Sequence, residues 1–548
     1  MSLPVSDLES RHRPVLDQAL EAIRTRGYFS AFPESPSPKV YGESAAADGK
    51  AAFDALLGTS FPLETPGATG TVATEKSPFG LPLEVAYPRM TADGVDTLMT
   101  AARAGIPAWR DAGPLARTAV CMEILGRLHA RVFELGNAVQ HTSGQAFVMA
   151  FQAGGAHALD RALEALAYSY AEMTRHPQTA VWEKPGRGEP LRMEKTFTAV
   201  PRGVGLVIGC NTFPTWNSWP GLFASLVTGN PVVVKPHPGA VLPLAITVQA
   251  AREVLGECGF DPNLVTLAAE DPADGLAKVL ATRPEVKLVD FTGSNAFGEW
   301  LEQNATQAVV FTEKAGVNTV VVDSTDSFKG LCSNLAFSFS LYSGQMCTAP
   351  QNVYVPADGI DTDEGHKSFE EVGEGIAAGL QKLLGGIVND GVLQRLGSLP
   401  KADVVVESRV VSHPSFADAV VRTPTVLALD ASDSDVFTRE CFGPVSYLIR
   451  TPGTTASLEL FRDTVREHGA MTASVYSTSE DVVEAARSAA LDAGVALSEN
   501  LTGQVFVNQS AAFSDFHGTG ANPAANASFT DGAYVANRFR IVQSRRHL

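Results

Sequence analysis

No C-x-x-C pair occurs in the sequence, and its six cysteines (Cys121, Cys210, Cys258, Cys332, Cys347 and Cys441) are scattered over 548 residues. That pattern suits neither a disulfide framework nor a zinc site. The expected setting is a reducing cytoplasm, where thiols stay free. No apolar stretch approaches the ~20 residues that span a bilayer. Met1 to Ala19 alternates charged and apolar residues and lacks the apolar core of a secretory signal. Positive charge is in short supply, with 42 Lys and Arg against 60 Asp and Glu and a formal net charge of -18. Nucleic acid and anionic membrane surfaces are therefore not expected partners. An anionic cofactor remains possible, because a few local basic groups and backbone N–H groups decide its site. Internal repeats and low-complexity tracts are also missing.

What is present is ordinary for a globular chain: 45% hydrophobic and 19% charged residues. The length allows roughly three to five domain-sized units. A charged helix is expected over Leu8–Arg26, followed by a Pro/Ser/Gly-rich stretch from Phe32 to Lys50. A short helix near Ala51–Leu57 and further loops to Pro88 come next. Residues 91–175 read as helical, with Leu159, Leu163, Leu166 and Tyr170 on one face. From Val200 short apolar runs alternate with helical segments. Strands are predicted at Gly203–Gly209, Pro231–Lys235, Val286–Phe291, Asn318–Asp323, Val353–Pro356, Ala473–Ser477 and Val505–Asn508. A helix is predicted over Gly221–Val227, and another carries Val372, Ile376, Leu380 and Leu383 on one face. Strands separated by helices imply an α/β chain with doubly wound parallel sheets.

Three segments carry chemistry. Phe291-Thr292-Gly293-Ser294-Asn295-Ala296-Phe297-Gly298 follows a predicted strand and opens a helix, so its glycines let backbone approach a pyrophosphate. Lys235 ends a buried strand in Gly229-Asn230-Pro231-Val232-Val233-Val234-Lys235-Pro236, at the edge where open α/β sheets bind nucleotides. Cys347 in Ser343-Gly344-Gln345-Met346-Cys347-Thr348 is a candidate nucleophile. Each alone has a plainer reading: a tight turn, a solvated lysine, a small buried hydrophobe.

Two further segments join them in order: Phe311-Thr312-Glu313-Lys314-Ala315-Gly316 and Glu440-Cys441-Phe442-Gly443-Pro444. Together they resemble the motifs of the NAD(P)-dependent aldehyde dehydrogenases. The family's glutamate and G-Q-x-C motifs are matched by Glu313 and Gly344–Cys347, 34 residues apart, and its E-x-F-G-P motif by Glu440–Pro444. Glu313-Lys314-Ala315-Gly316 departs from the family's usual E-L-G-G. The resemblance covers about residues 90–545. A narrower likeness, to the aldehyde dehydrogenases of phenylacetic acid degradation, rests on Cys210–Asn217, on the Lys235-Pro236-His237-Pro238 turn and on the long N-terminal segment.

The resemblance implies two doubly wound α/β domains, a Rossmann-type cofactor domain and a catalytic domain, with a small β oligomerisation arm. The cofactor domain would comprise residues 1–183 and 202–312, with an N-terminal extension over about 1–90. The catalytic domain would span 313–500, and 184–201 with 524–548 would form the arm. The tail is expected to pair with a neighbouring subunit's hairpin or sheet, giving a homodimer or homotetramer. By the same resemblance Cys347 attacks the aldehyde, Glu313 activates water, and Asn211 stabilises the oxyanion, with Asn217 as the second candidate. Lys235, Gly293, Ser294, Gly298, Glu440 and Phe442 would hold the cofactor. Cys332 is the rival nucleophile. His237 and His517 stand isolated in the sequence, and no metal is expected. NADP is expected ahead of NAD, because NAD-preferring relatives often carry a glutamate where Pro238 stands. The expected substrate is a small-molecule aldehyde, a CoA-linked semialdehyde of aromatic-acid breakdown. The alternatives are a CoA-acylating reductase and a non-catalytic protein of the same fold.

Overall fold

The computed structural model describes residues 3–383, 385–388 and 390–548. Helix α1 (Val5–Thr25) buries Leu8, Leu16, Ala19 and Ala22 in the same apolar cluster as residues of α2 (Gly113–Ala130) and α3 (His157–Met173). The N-terminal extension is thus part of the first core. Its Pro-rich stretch is less irregular than expected, since Ala45–Asp54 is helical. A hairpin of β1 (Thr179–Lys184) and β2 (Leu191–Pro201) follows. Next come β3 (Val204–Ile208), α4 (Pro214–Val227), β4 (Val232–Lys235), α5 (Leu242–Glu257) and β5 (Val265–Leu267). Then β6 (Val286–Thr292), α6 (Asn295–Asn304) and β7 (Val309–Glu313) complete a parallel sheet in the order β5-β4-β3-β6-β7. Helix α4 begins at Pro214, earlier than its apolar run suggests, because proline is pre-organised for a first helical turn.

The chain reverses direction across this sheet between β3 and β6, and ligands of open α/β sheets bind at the carboxyl ends flanking such a switch. The register puts Ile208 level with both Lys235 and Phe291, and Thr292 level with Glu313. Lys235, the turn after β6 and Glu313 therefore emerge along one edge. In β4, Val232 and Val234 face the cluster that holds α1, whereas Val233 faces the opposite one. Apolar residues on both faces are what a parallel sheet between two helix layers requires.

The second sheet holds β8 (Thr319–Val322), β9 (Asn352–Pro356), β10 (Asp403–Val406), β11 (Thr425–Asp430), β12 (Val445–Thr451), β13 (Thr472–Tyr476) and β14 (Ala496–Glu499). Their spatial order is β10-β11-β12-β9-β8-β13-β14, parallel except for the edge strand β10. Helices α7 (Phe328–Ser340) and α8 (Phe369–Leu380) cover one face and α9 (Thr454–His468) and α10 (Glu480–Ala493) the other. Val505–Asn508 is not a strand. Its groups strap other loops instead, with Asn508 Nδ2 donating to the Ser338 carbonyl at 3.1 Å and the Asn508 carbonyl accepting from Thr348 at 2.8 Å.

The tail joins the hairpin within its own chain. The last strand, β15 (Phe539–His547), pairs antiparallel with β2 of its own chain, from Phe539 opposite Pro201 to His547 opposite Met193. The hairpin itself starts at Thr179 rather than at Lys184. Arg538 anchors this return: its guanidinium donates to both oxygens of Asp290 at 2.6 and 2.8 Å, and Tyr534 donates to the same carboxylate at 2.7 Å. Residues 524–526 do not join the arm. They lie along the free edge of β7, where the Lys314 N–H donates to the Ala524 carbonyl at 2.6 Å and the Asn526 N–H to that of Thr312 at 3.1 Å. Among the described residues, no helix is long and apolar enough to cross a membrane.

Candidate active site

Cys347 lies in the loop between α7 and β9. Just before it, Tyr342, Ser343 and Gly344 have φ of 52°, 59° and 65°, a run of three left-handed residues. Such a conformation costs non-glycine residues roughly 1–2 kcal/mol each, so packing must hold it. A side chain at Gly344 would place its Cβ 2.4 Å from the Gly443 carbonyl oxygen. Glycine thus lets the cysteine loop lie directly on the Glu440–Pro444 loop. Gln351 fastens the same two loops: its Oε1 accepts from the Cys441 N–H at 2.6 Å and its Nε2 donates to the Arg439 carbonyl at 3.0 Å. Buried Asn318 clamps the thiol-bearing backbone. Its Nδ2 donates to the carbonyls of Cys347 and Ala349 at 2.7 and 3.0 Å, and its Oδ1 accepts from the N–H groups of Met471 and Thr472 at 2.9 and 3.1 Å.

Glu313 is the last residue of β7 and its side chain is 2% exposed. Asn217, from the first turn of α4, donates to Oε2 at 2.9 Å. The ring of His517 reaches Oε1 with Nε2 at 3.0 Å, and the same nitrogen lies 3.7 Å from the Cys347 sulfur. The Cys347 sulfur, a Glu313 carboxylate oxygen and a His517 ring nitrogen all lie within 4.8 Å of one another. Burial by itself would raise the Glu313 carboxyl. The His517 ring, with hydrogen bonds from Cys347 and Asn217, outweighs it and holds the carboxyl below its ordinary value. Burial pushes the Cys347 thiol well above its ordinary value, and the nearby Glu313 carboxylate adds to the effect. Cys210 is likewise pushed up to about 12, chiefly by burial. Burial lifts the Glu440 carboxyl to about 7, against a hydrogen bond from the Gly316 backbone and the charge of Arg395.

Cys347, Glu313, Glu440, Phe442, Gly293 and Ser294 line one cavity of about 270 Å³, together with Asn217 and Cys210. Asn211 stands apart from it. The Asn211 Oδ1 would lie 2.5 Å from a Cβ placed on Gly239, so its amide faces the turn after β4. The asparagine in the cavity is Asn217. Cys332, the rival, is buried in the apolar core of the second sheet.

The cofactor side of the site is also built. Ser294 precedes the ten-residue α6, so the turn Thr292–Ser294 presents a helix N-terminus to the cavity. A Cβ on Gly298 would sit 2.6 Å from the Lys314 side chain, so the first turn of α6 is packed closely on the residue after Glu313. This arrangement at the switch point fits a dinucleotide, which Lys235, Gly293, Ser294, Gly298, Glu440 and Phe442 would hold. The sequence puts no carboxylate beside Lys235, yet the structure does: Glu270, beyond β5, forms a buried ion pair with the Lys235 ammonium. Lys235 is therefore not a free cation awaiting a 2′-phosphate. Glu270, Asn318, Gln351 and His517 all escape a motif search. His517 is 170 residues from Cys347 in sequence, and no local spacing connects them.

The model of the aldehyde dehydrogenase family matches residues 75–520. A crystal structure titled NAD-dependent aldehyde dehydrogenase, from Burkholderia multivorans, is 57% identical over the whole of both chains and superposes with a TM-score of 0.97. A vanillin dehydrogenase of Pseudomonas fluorescens is 24% identical over 386 residues, 68% of this chain and 75% of that protein. A Thermus 1-pyrroline-5-carboxylate dehydrogenase with bound NAD shares the fold at a TM-score of 0.74 and 18% identity, covering 96% of this chain and 100% of that one. With a thiol, a buried carboxylate and a glycine-containing turn before a helix opening on one cavity, the chain belongs to the aldehyde dehydrogenase family, nicotinamide-dependent oxidoreductases of small-molecule aldehydes.

Proposed function

We propose that this enzyme oxidises an aldehyde to the free carboxylic acid through a thioester on Cys347, with NAD preferred to NADP. The observation that carries the proposal is the convergence of Cys347 and Glu313 in one cavity onto which the turn Thr292–Ser294 opens. Cys347 attacks the carbonyl, and its sulfur carries the acyl group. The nicotinamide, when bound, supplies the hydride acceptor. Glu313 activates the water that releases the acid. The Asn217 amide takes the oxyanion role in place of Asn211, because it lines the cavity. Glu440 and Phe442 place the nicotinamide ribose and ring.

The preference for NAD rests on the Lys235–Glu270 pair. A carboxylate beside the ammonium serves ribose hydroxyls as an acceptor and repels a 2′-phosphate. The relative from Burkholderia multivorans, titled NAD-dependent, agrees with this.

The substrate proposed is a CoA-linked semialdehyde of phenylacetate breakdown, on the likeness of Cys210–Asn217, the Lys235–Pro238 turn and the N-terminal segment to the phenylacetic acid degradation protein PaaN. Glu313 favours hydrolysis over transfer of the acyl group to CoA. The three-stranded sheet β15-β2-β1 leaves an outer strand on each side with exposed Val181, Ile541 and Val542. Such edges suit a homodimer or a pair of dimers. The location proposed is the cytoplasm, where six free thiols would stay reduced. The test is a spectrophotometric screen of free and CoA-linked aldehydes with NAD and NADP in parallel, and with and without free CoA. Free acid as the product supports the proposal, whereas acyl-CoA formed only in the presence of CoA would replace it.

A further inference from the structure

His517 is buried at 3% exposure and is carried to Cys347 and Glu313 by the segment that runs along β7. The Phe529 N–H donates to its carbonyl at 2.8 Å, and the Trp216 ring meets the imidazole edge-on with centroids 4.6 Å apart. Its Nε2–H donates to Oε1 of Glu313 at 3.0 Å, and the same nitrogen lies 3.7 Å from the Cys347 sulfur. Asn217 holds the other carboxylate oxygen at 2.9 Å, so Oε1 keeps its aim. The Asn318 amide holds the Cys347 carbonyl at 2.7 Å. Packing and hydrogen bonds thus keep a sulfur, a carboxylate oxygen and an imidazole nitrogen within 4.8 Å of one another. The three residues are too far apart in sequence to show any metal-ligand spacing, and only the fold unites them.

Thiolate, imidazole and one carboxylate are together a donor set for zinc rather than for magnesium or calcium. Zinc bonds of ~2.0–2.1 Å to nitrogen, ~2.3 Å to sulfur and ~2.0–2.2 Å to oxygen put tetrahedral ligand atoms roughly 3.4–3.6 Å apart. The separations of 3.0 and 3.7 Å differ from that by a few tenths of an ångström. Charge matches as well. One thiolate and one carboxylate neutralise a divalent cation, so the loaded cluster buries no net charge. Cys210 keeps its thiol on the Asn217 Oδ1 at 3.5 Å, which leaves three protein ligands. A fourth ligand can come as water from the cavity of about 270 Å³ that Cys347 and Glu313 line.

We propose that Cys347, His517 and Glu313 form a binding site for Zn²⁺ and that its occupation turns the enzyme off. The cation takes the place of the proton between Nε2 and Oε1. In the exchange the imidazole carries its proton on Nδ1 and the thiol releases its proton to solvent. Sulfur, Nε2 and Oε1 each give a lone pair to the metal, and nothing is oxidised or reduced. The sulfur pair is then engaged and cannot attack a carbonyl, and Oε1 cannot take a proton from water. Removing the metal returns both groups to the reaction. The loss of activity rests on Cys347 being the nucleophile, whereas the binding does not.

The test titrates reduced, metal-stripped, full-length protein with Co²⁺ and then with Zn²⁺. A thiolate-to-cobalt absorption band and tetrahedral visible bands are expected to saturate at one equivalent per chain and to vanish as Zn²⁺ displaces the cobalt. Dehydrogenase activity should fall with zinc occupancy and return with a chelator. Zinc affinity is read directly, by competition with a chromophoric chelator, in wild type, His517→Gln and Glu313→Gln. Each variant should bind zinc about a hundredfold more weakly or worse, since losing even an outer partner of a ligand costs about 10–100-fold. Cys347→Ser should lose the thiolate band. Wild-type zinc affinity in a folded His517→Gln or Glu313→Gln overturns the proposal, because the thiol alone would then hold the metal. A wild-type protein that takes up neither metal at micromolar concentration overturns it too, as does full activity at full zinc occupancy. If one variant fails to fold, the other decides. Should Cys347→Ala retain wild-type turnover, the nucleophile assignment fails instead, and the affinity measurements still decide the site.

Discussion

Asn217 donates its side-chain amide to Glu313 at 2.9 Å, so a residue from the first turn of one helix touches the carboxylate at the end of a strand 96 positions later. The amide thus sits where a developing oxyanion would compete for it. Asn217→Ala is expected to lower kcat by about 10²-fold or more, the usual cost of losing one such donor. Asn217→Asp would set two carboxylates side by side, raise the Glu313 carboxyl and move the pH–rate profile to the alkaline side. Steady-state kinetics across pH check both, and an unchanged kcat in Asn217→Ala would remove it from the catalytic set.

Glu313→Gln retains the hydrogen bond geometry but loses the base. Rapid mixing should give a burst of reduced cofactor near one equivalent per site, then slow turnover with acyl-enzyme visible by mass spectrometry. Cys347→Ala should give no burst at all. Cys332→Ala, a change in the core of the second sheet, should keep one.

The Lys235–Glu270 pair predicts the cofactor ratio. Wild-type kcat/KM is expected to favour NAD by about tenfold or more, ~1.4 kcal/mol in transition-state terms. Glu270→Gln removes the carboxylate while leaving an acceptor, and frees Lys235 for a phosphate. The ratio should then move toward NADP by about tenfold. A ratio that does not respond would mean the adenosine ribose lies elsewhere.

Asp160 ties the N-terminal segment to α3. It accepts from the Ser30 hydroxyl at 2.7 Å and the Ala31 N–H at 2.9 Å, yet burial lifts its carboxyl to about 6 from the ordinary 3.8. Between those pH values the folded protein keeps a proton that the unfolded chain has lost. Stability therefore falls as pH rises through this window, by up to about 3 kcal/mol. Asp160→Asn cannot titrate. Relative to wild type, its Tm by calorimetry should improve steadily from about pH 4 to pH 6 and then level off.

The parallel sheets were legible because buried strands such as Val232–Lys235 and Val286–Thr292 are short apolar runs between helical patterns. Cys347, Glu313 and Glu440 stand in short local motifs that a sequence reading can single out, and the fold places all three around one cavity. Asn211 was misleading for a local reason. The turn after β3 aims its side chain at Gly239, and only coordinates reveal that Asn217, six residues on, faces inward. Glu270 and His517 were illegible because each meets its partner through tertiary packing across 35 and more than 150 residues. The strand reading at Val505–Asn508 failed because a run of β-prone residues carries no sign of what its backbone will bind. Here that partner is another loop.

The edge of β7 is closed by Ala524 and Asn526, and the same segment delivers His517. Cys347 is synthesised long before either. At ~5–20 residues per second on the ribosome, roughly ten to forty seconds separate the thiol's emergence from that of the residues that roof it. Once synthesis has passed Glu499 both sheets have all their strands, while His517, Ala524 and Asn526 are still to come. A nascent chain arrested between Glu499 and His517 would display the thiol without its histidine and without the cover over Glu313. The order of translation thus makes the completed reaction centre one of the last things this chain acquires.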